Sequence, residues 1–356
     1  MNSTRILYEI DNLPAFQNKV FDKVEDANNT PCGDVRLVED LNTGLIYNQA
    51  FRPELMVYDK NYDNEQATSS IFQKHLDQVL QIIERIIGKS DIVEVGCGKG
   101  IFLEMMQDNG FEVQGYDPTY EGSNPKVIKQ YFTPDLGITG KGLILRHVLE
   151  HIQDPVSFLK QLSEANGGSG KIYIEVPCFD WICENRVWFD IFYEHVNYFR
   201  LSDFHKIFGT VYESGRLFGG QYLYVIADLS DIRFPKYDPE NSVNFPDNFL
   251  PSPEHKNGGS VIIWGGGSKG VIFSLSMQRA GFPVSMVIDI NPRKQGKYLP
   301  VTCLKVQKPE EVLSNLKIGT PIYVMNSNYL EEIKNLVLKS TKNANTVKLI
   351  CIDYEN

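Results

Sequence analysis

The fold of this chain is decided by one stretch, Asp91-Ile-Val-Glu-Val-Gly-Cys-Gly-Lys-Gly-Ile-Phe-Leu-Glu-Met-Met106. Apolar residues at 92–95 predict a strand, the glycines that follow predict a tight turn, and the next residues predict a helix. At such glycines a ligand can approach bare backbone and meet the amide donors of a helix N-terminus. A second strand over 111–116 ends at Asp117, which is placed to accept hydrogen bonds from ribose hydroxyls. The stretch therefore predicts a ligand-binding turn on a parallel sheet.

Composition narrows the class of protein. The chain has 356 residues, of which 42% are hydrophobic and 22% charged, and these values predict an ordinary globular protein with two or three domains. A net charge of −10 argues against a nucleic-acid partner, which would need a basic surface. The sequence shows no apolar run of membrane-spanning length, no signal-peptide layout and no C-x-x-C pair. We therefore expect a cytoplasmic enzyme with reduced thiols and no membrane partner, while the oligomeric state stays open.

Hydrophobic patterning divides the chain into four segments. They are a mixed N-terminal segment (1–68), a unit of alternating strands and helices (69–233), a proline-rich linker or extended crossover (234–259), and a second α/β unit (260–356). The alternation predicts a parallel sheet with helices on both faces. We expect the strand over 221–227 to lie at the edge of that sheet. The first helix, over 71–87, is expected to start with a capping box made by Ser70 and Gln73.

A second glycine turn opens the last unit. Gly265-Gly-Gly-Ser-Lys-Gly270 matches the G-x-G-x-x-G pattern, and Asp289 follows about twenty residues later, as in NAD-binding folds. The match is short, and the same glycines would also suit close packing between strand and helix. NAD binding and a packing role are both compatible with this turn.

Two histidines follow the predicted strand over 142–145. His147-Val-Leu-Glu-His151 matches the H-x-x-E-H pattern of inverted zinc proteases, in which both imidazoles lie on one helix. Here the pattern directly follows a sheet strand, and no third ligand is evident. We expect instead that Arg146 and His147 face the cofactor while Glu150 and His151 face the substrate. A purely structural role for the two histidines is the alternative.

The densest polar-aromatic cluster is Trp188-Phe-Asp-Ile-Phe-Tyr-Glu-His-Val-Asn-Tyr-Phe199. Aromatic walls with a few polar groups are typical of a small-molecule pocket. His195, beside Glu194, offers a base that titrates near neutral pH. An aromatic core with a solvent-facing Glu-His pair is the alternative.

These motifs resemble those of known families. The G-x-G-x-G spacing at 96–100 resembles the first motif of class I S-adenosylmethionine-dependent methyltransferases. The chain as a whole is similar to the sugar C-methyltransferases that act on nucleotide-linked keto-deoxysugars. The similar segments are Gly44-Leu-Ile-Tyr-Asn48, Phe51-Arg-Pro-Glu-Leu55, Arg146-His-Val-Leu-Glu-His-Ile-Gln-Asp-Pro155, Tyr193-Glu-His-Val-Asn-Tyr-Phe199, Gly265-Gly-Gly-Ser-Lys-Gly270 and Asp289-Ile-Asn-Pro-Arg-Lys-Gln-Gly-Lys-Tyr-Leu-Pro300.

The resemblance implies an α/β fold: a class I methyltransferase Rossmann-like domain, a second C-terminal Rossmann-like domain, and a small N-terminal segment. It implies S-adenosylmethionine as cofactor and C-methylation of a nucleotide sugar through an enolate. O-methylation, an NAD-dependent sugar oxidoreductase and a non-catalytic sugar-nucleotide-binding protein are the alternatives. Family members usually carry four zinc-binding cysteines near the N-terminus, but here only Cys32 stands, and Glu39 and Asn42 occupy the place of a pair. We therefore expect no metal.

The resemblance also implies roles for individual residues. His195 is the candidate base, and His151, Tyr193 and Glu194 orient the substrate or hold the enolate charge. The expected cofactor-binding residues are Glu94, Gly96, Cys97, Gly98, Gly100, Asp117, Pro118, Arg146 and His147. The expected substrate-binding residues are Tyr58, Tyr62, Asn197 and Tyr198. Because Phe192-Tyr193-Glu194-His195 stands where typical members have Tyr, His, Glu, His, the methylated atom is left open.

Overall fold

The computed structural model describes residues 3–56, 69–249, 261–282, 284–316, 319–340 and 347–353. Two residues expected to bind substrate, Tyr58 and Tyr62, lie outside the described residues, as does the end of the predicted linker. Three β-sheets organise the described part of the chain. None of its helices is both long enough and apolar enough to span a membrane. All six cysteines are described, and each is a free thiol.

The N-terminal segment forms a small antiparallel sheet. It contains β1 (Thr4–Pro14), α1 (Val24–Asn28), β2 (Cys32–Asp40) and β3 (Ile46–Asn48). The predicted strand-like pieces lie in β2 and β3. The sequence did not predict β1, because the pairing register shifts between Ile6 and Tyr8 and again between Ile10 and Leu13. Each irregularity breaks the alternation of buried and exposed side chains by which a strand is recognised.

The central unit begins with helix α2 (Ser70–Ile86). Its N-cap is Ser69, whose hydroxyl oxygen accepts a hydrogen bond from the backbone N–H of Ile71 at 3.2 Å. The predicted capping box of Ser70 and Gln73 is therefore wrong by one residue. Both serines are suitable caps by residue type, so the sequence alone did not distinguish them.

The rest of the central unit alternates strands and helices. Its strands are β4 (Ile92–Val95), β5 (Val113–Tyr116), β6 (Val127–Ile128), β7 (Gly142–Arg146), β8 (Lys171–Pro177), β9 (Asn197–Tyr198), β10 (Val211–Leu217) and β11 (Tyr222–Asp228). Its remaining helices are α3 (Ile101–Asp108), α4 (Pro155–Ala165), α5 (Phe179–Glu184) and α6 (Leu201–Ile207).

Seven of these strands form a sheet in the order β10-β11-β8-β7-β4-β5-β6 among the described residues. Strands β4 to β8 run parallel, whereas β11 is antiparallel to both β8 and β10. The strand predicted at the edge is β11, and that placement is wrong because β10 pairs outside it. The sequence of β10, Val-Tyr-Glu-Ser-Gly-Arg-Leu, is only partly buried and lacks the apolar run that marks a central strand.

The order of this sheet creates a crevice. From β4 the chain adds β5 and β6 on one side and then returns to add β7 on the other. In such doubly wound sheets, ligands bind outside the carboxyl ends of the strands at the point where the order reverses. That point lies between the glycine turn after β4 and Arg146 at the end of β7. The predicted α/β Rossmann-like fold is confirmed.

Strand β9 and the described part of the predicted linker join the central unit to the N-terminal sheet. Strand β9 pairs with β3 and so completes the N-terminal sheet. The described part of the predicted linker is packed against that sheet, because Glu39 accepts a hydrogen bond from the backbone N–H of Val243 at 2.9 Å. The ring of Phe249 also contacts Tyr8 edge-on, with centroids 5.3 Å apart. This part of the segment is therefore a packed crossover.

The C-terminal unit is the predicted second α/β domain. Its elements are β12 (Val261–Trp264), α7 (Ser268–Arg279), β13 (Val284–Ile288), β14 (Val306–Gln307), α8 (Pro309–Leu313), β15 (Pro321–Val324), α9 (Leu330–Ser340) and β16 (Lys348–Cys351). The sheet order in the described residues is β14-β13-β12-β15-β16, and all pairs are parallel. The ring of Phe273 on α7 stacks on Trp188 of the central unit at 5.7 Å. The two units are thus packed against each other.

Candidate functional site

The first glycine turn has the backbone conformation that the sequence predicted. Gly96, Gly98 and Gly100 have φ values of +73°, +54° and +80°, which are unfavourable for residues with a Cβ. At Gly96 a Cβ would also lie 2.5 Å from Cγ2 of Val148, just beyond β7. The N–H of Gly98 donates to Oδ2 of Asp117 at 2.8 Å. The turn is therefore held against the ends of β5 and β7.

The carboxylate of Glu94 lies at the end of β4, just before this turn. Its side chain is buried with 3% of its surface exposed, and Oε2 makes no hydrogen bond within the described residues. Burial raises the pKa of Glu94 to about 7, against the opposing effect of Arg146. The negative charge of Asp117 raises this pKa further. Such a buried, incompletely bonded carboxylate is well suited to a cationic ligand.

The other predicted cofactor residues near the turn have different environments. Oδ1 of Asp117 accepts hydrogen bonds from the N–H and hydroxyl of Thr119 at 2.8 and 2.7 Å. Pro118 is half-buried beside it. Cys97 is buried, and its Sγ would lie 2.8 Å from a Cβ at Gly115. Because burial raises the pKa of the Cys97 thiol, this side chain packs under the turn as a neutral group.

Arg146 and His147 share the buried carboxylate of Glu175. Nη2 of Arg146 lies 3.0 Å from Oε1 of Glu175, and its guanidinium stacks over the Phe102 ring at 4.4 Å. His147 places Nε2 3.1 Å from the same oxygen and Nδ1 3.4 Å from Oε1 of Glu150. Burial opposes a charge on His147, but hydrogen bonds to both carboxylates outweigh it and raise its pKa to about 9. His147 is therefore a charged link between Glu175 and Glu150.

A cavity of about 220 Å³ lies between the central and C-terminal units. The lining residues of the central unit include His147, Glu150, His151, Phe192, His195, Gln221 and Tyr222. Those of the C-terminal unit include Gly265, Gly267, Ser268, Lys269, Asp289, Asn291 and Lys294. The carboxyl edges of both parallel sheets thus contribute to one cavity.

Three polar side chains meet on the central-unit wall of this cavity. One ligand-type atom from each of Glu150, His151 and His195 lies within 4.8 Å of the others. The backbone N–H of Val196 donates to the carbonyl of Glu150 at 2.8 Å, which brings the strand after His195 to the turn over 149–151. No helix carries both histidines of the H-x-x-E-H pattern, because only a short 3₁₀ turn, Leu149–His151, forms there. The structure brings His151 and His195 together, with their ring centroids 5.0 Å apart.

The titration predicted for His195 is wrong. Burial and the neighbouring His151 lower the pKa of His195 to about 3, although Glu150 opposes this shift. The imidazole is therefore neutral at physiological pH. Burial also opposes ionisation of Glu150, but its hydrogen bond with His147 keeps the pKa of this carboxyl below its usual value.

Four of the predicted catalytic and substrate-binding residues are not among those that line the cavity. These four residues are Tyr193, Glu194, Asn197 and Tyr198. The hydroxyl of Tyr193 accepts a hydrogen bond from the N–H of Arg52 at 2.8 Å, and that of Tyr198 donates to the carbonyl of Phe192 at 3.0 Å. Nδ2 of Asn197 donates to the carbonyl of Ile152 at 2.5 Å, and Glu194 is buried. These side chains are directed into the protein itself, and because Glu194 is buried, the alternative of a solvent-facing Glu-His pair is wrong as well.

Several site residues were not predicted from the sequence. Glu175 is fully buried in β8 and contacts Arg146, His147 and also Nε2 of His75 at 3.1 Å. An acidic residue inside an apolar strand was the available signal, because buried charges require partners. Asn291 lines the cavity with a buried amide whose Nδ2 makes no hydrogen bond within the described residues.

The second glycine turn repeats the contact of the first. The N–H of Gly266 donates to Oδ2 of Asp289 at 2.7 Å. Nζ of Lys269 lies 3.2 Å from Oδ2 of Asp190, so its charge is directed to the central unit. The turn therefore has the aspartate expected of a nucleotide fold, together with contacts between the two units.

Comparison with known proteins found one family model that matches part of the chain. Residues 65–211 match the family model described as a methyltransferase domain. The prediction of a methyltransferase is confirmed at this level. The comparison with curated proteins found no match.

Solved structures similar to this chain include three methyltransferases. Magnesium protoporphyrin IX methyltransferase from Synechocystis PCC 6803, with bound SAH, is 16% identical, with 44% of this chain and 82% of that chain covered and a TM-score of 0.35. 1,6-Didemethyltoxoflavin-N1-methyltransferase from Burkholderia thailandensis is 12% identical, with 52% of this chain and 96% of that chain covered and a TM-score of 0.34. A SAM-dependent methyltransferase from Archaeoglobus fulgidus is 18% identical, with 45% of this chain and 100% of that chain covered and a TM-score of 0.33.

Proposed function

We propose that the protein transfers a methyl group from S-adenosylmethionine to a small molecule held in the cavity between the central and C-terminal units. The proposed substrate is a nucleotide-linked keto-deoxysugar, methylated on carbon. The observation that carries the proposal is the buried carboxylate of Glu94, with Oε2 unbonded within the described residues, beside the glycine turn of a methyltransferase domain. A cationic nucleoside complements this charge, and the ribose-binding position of Asp117 complements its sugar.

The turn is suited to this cofactor. Gly98 has open space where a Cβ would stand, so a ligand can approach the backbone there. Asp117 would bind the ribose hydroxyls, and Glu94 would lie near the positive charge. Bound S-adenosylmethionine would supply an activated methyl group on its sulfonium. The protein then has to hold the acceptor in line and remove one proton.

His195 is the proposed proton acceptor. Burial and His151 lower its pKa to about 3, so the imidazole is neutral with its lone pair available, but it is a weak base. The carboxylate of Glu150 acts in the opposite direction and favours the imidazolium that forms when His195 takes the proton next to a ketone. His151, with its ring centroid 5.0 Å from that of His195, would orient the substrate oxygen.

Proton exchange tests this role without the methyl donor. Keto-sugar nucleotides incubated in D₂O with the protein should exchange the proton next to the ketone, and mass spectrometry records the gain. His195→Asn should lower both exchange and turnover by about 100-fold or more while sparing affinity for S-adenosylhomocysteine. The matched control is His205→Asn, an exposed histidine bonded to Ser214. Unchanged exchange in His195→Asn would remove this residue from the base role.

Product analysis tests the substrate class. Candidate keto-sugar nucleotides are incubated with the protein and methyl donor, and a product one CH₂ unit heavier is sought by mass spectrometry. Methylation of carbon removes an exchangeable carbon-bound proton, whereas O-methylation leaves that proton in place. O-methylation, with His195 taking a hydroxyl proton, is the alternative that this comparison distinguishes.

An NAD-dependent sugar oxidoreductase is the second candidate. It is favoured by the Gly265–Gly270 turn and by the bond between the N–H of Gly266 and Asp289. Calorimetric titration with NADH and with S-adenosylhomocysteine separates the two functions. We expect heat of binding with S-adenosylhomocysteine, and Asp117→Asn should weaken it, whereas Asp289→Asn should not. The opposite pattern would favour the oxidoreductase.

A further inference from the structure

The cluster of Glu150, His151 and His195 has the composition of a metal site. Its three ligand-type atoms lie within 4.8 Å of one another, and all three residues line the cavity. Glu150 is buried, with 2% of its surface exposed, and its Oε2 makes no hydrogen bond within the described residues. A buried carboxylate oxygen without a donor is costly unless some positive group completes it.

Neighbouring groups orient two of the three ligands. Nδ1 of His151 lies 2.9 Å from the carbonyl oxygen of Glu194. A carbonyl only accepts hydrogen bonds, so Nδ1 carries the proton and, in the neutral ring, Nε2 keeps the lone pair. Metal-binding histidines are commonly fixed in this way, by a backbone carbonyl on the nitrogen that does not bind the ion.

The carboxylate of Glu150 is oriented by a second chain of contacts. Its Oε1 lies 3.4 Å from Nδ1 of His147, and Nε2 of His147 lies 3.1 Å from Glu175. One oxygen of Glu150 is thereby held by protein, and the other remains for a ligand.

We propose that Glu150, His151 and His195 bind one divalent transition-metal ion of the zinc, cobalt or nickel type, with an open position facing the cavity. Two imidazoles and one carboxylate are a common set for these ions, whereas Mg²⁺ and Ca²⁺ prefer oxygen ligands alone. The sequence predicted no metal at the N-terminal cysteines, and zinc at the H-x-x-E-H pattern was rejected because no third ligand was evident. The proposed site takes Glu150 and His151 from that pattern, and His195 is the third ligand.

Metal binding has a consequence for the base proposed above. An ion bound through the lone pair of His195 occupies the electron pair that would accept a proton. The loaded protein should therefore lack proton-acceptor activity at His195. The site itself does not depend on the proposed function, because its ligands and geometry are independent of any methyl transfer.

Cobalt titration of the 356-residue chain tests the site. After dialysis against a chelator, Co²⁺ is added and its visible absorption is recorded, with Zn²⁺ then added to displace it. We expect saturation at one equivalent and loss of the bands on addition of Zn²⁺. Glu150→Gln and His195→Asn should each weaken Co²⁺ binding by at least about tenfold, while His205→Asn should not. Circular dichroism checks that each variant is folded, and His195→Asn alone suffices if Glu150→Gln does not fold.

Two outcomes would overturn the metal site: no saturable cobalt spectrum, or equal binding by the wild type, His195→Asn and folded Glu150→Gln proteins. A separate measurement adds Zn²⁺ to the proton-exchange assay. Zinc binding with loss of exchange supports both the site and the base. Zinc binding with full exchange keeps the site and rejects His195 as the base. Active exchange with no metal binding rejects the site and leaves the proposed function intact.

Discussion

Glu94→Gln is expected to stabilise the protein at alkaline pH and to weaken its affinity for S-adenosylmethionine. Burial raises the pKa of Glu94 from 4.5 to about 7 in the folded protein. The folded state therefore binds this proton more tightly than the unfolded state does. Stability from this group is complete below pH 4.5 and is lost as the pH rises through 7. The difference of about 2.5 pKa units corresponds to about 3 kcal/mol, at 1.36 kcal/mol per unit.

Glutamine does not ionise, so the Glu94→Gln variant does not lose this stability as the pH rises. The gain of Glu94→Gln over the wild type should grow by about 1.4 kcal/mol per pH unit between about pH 5 and 7, then level off. Hydrogen exchange of amides in β4 measures this gain in stability locally. A local measurement is needed because a chain of several units need not unfold in one step. Glu104→Gln, an exposed residue on α3, is the matched control. A gain that does not change with pH would refute the argument.

The same substitution, which should stabilise the fold, is expected to weaken binding of the proposed cofactor. At about pH 8 the wild-type carboxylate is ionised and attracts a cation, which the neutral amide of the Glu94→Gln variant cannot do. Calorimetry should show S-adenosylmethionine binding about tenfold weaker to this variant than to the wild type. Near pH 6.5, about half a unit below the pKa of Glu94, the wild type should release protons on binding, which titrations in buffers of different ionisation enthalpy detect. Equal affinities would show that Glu94 does not contact the cofactor.

Three substitutions test the packing around the site. Lys269→Met leaves the buried Asp190 without its partner and should destabilise the protein by about 3 kcal/mol, whereas adding Asp190→Asn should recover most of this in thermal unfolding. Tyr193→Phe removes the bond to Arg52 and should cost about 1 kcal/mol without changing kcat. Gly96→Ala meets both a positive φ and a collision, so methyl-donor affinity measured by calorimetry should fall.

The sequence predicted those parts of the fold whose signal is local. The apolar run of β4, its glycines and the helix after them specify a strand, turn and helix without reference to the rest of the chain. By contrast, β10 became a strand because β11 offers it a pairing edge. Its residues are half-exposed and partly polar, so no local pattern marks them. The bulges of β1 hide that strand for a similar reason.

The candidate site was predicted in part. His151 and His195 are brought together because the chain after His195 bonds to the carbonyl of Glu150, a contact between segments more than forty residues apart. The motifs indicated both residues without indicating this contact. Tyr193 and Glu194 adjoin His195 in sequence, but they are directed into the protein. Which side chains of an irregular segment face a cavity depends on its tertiary path, and neither helical nor strand periodicity supplies that information here.

The two glycine turns show why a motif alone does not assign a cofactor. Each has an aspartate that accepts a hydrogen bond from a turn amide, Asp117 in the first and Asp289 in the second. At the second turn, however, Oδ1 of Asn18 lies 3.4 Å from the N–H and 2.6 Å from the hydroxyl of Ser268, at the start of α7. The N-terminal segment thereby occupies a donor that a phosphate would use.

Packing explains the remaining features of the second turn. A Cβ at Gly270 would collide with the carbonyl oxygen of Gly265, so this glycine is required for strand–helix packing whether or not a ligand binds. Lys269 is paired with Asp190 across the two units. At the first turn, Gly100 has no side chain with which to cap α3, and Glu94 keeps a buried oxygen without a donor among the described residues. These contacts favour the first turn as the cofactor site and the second as the structural wall of the cavity.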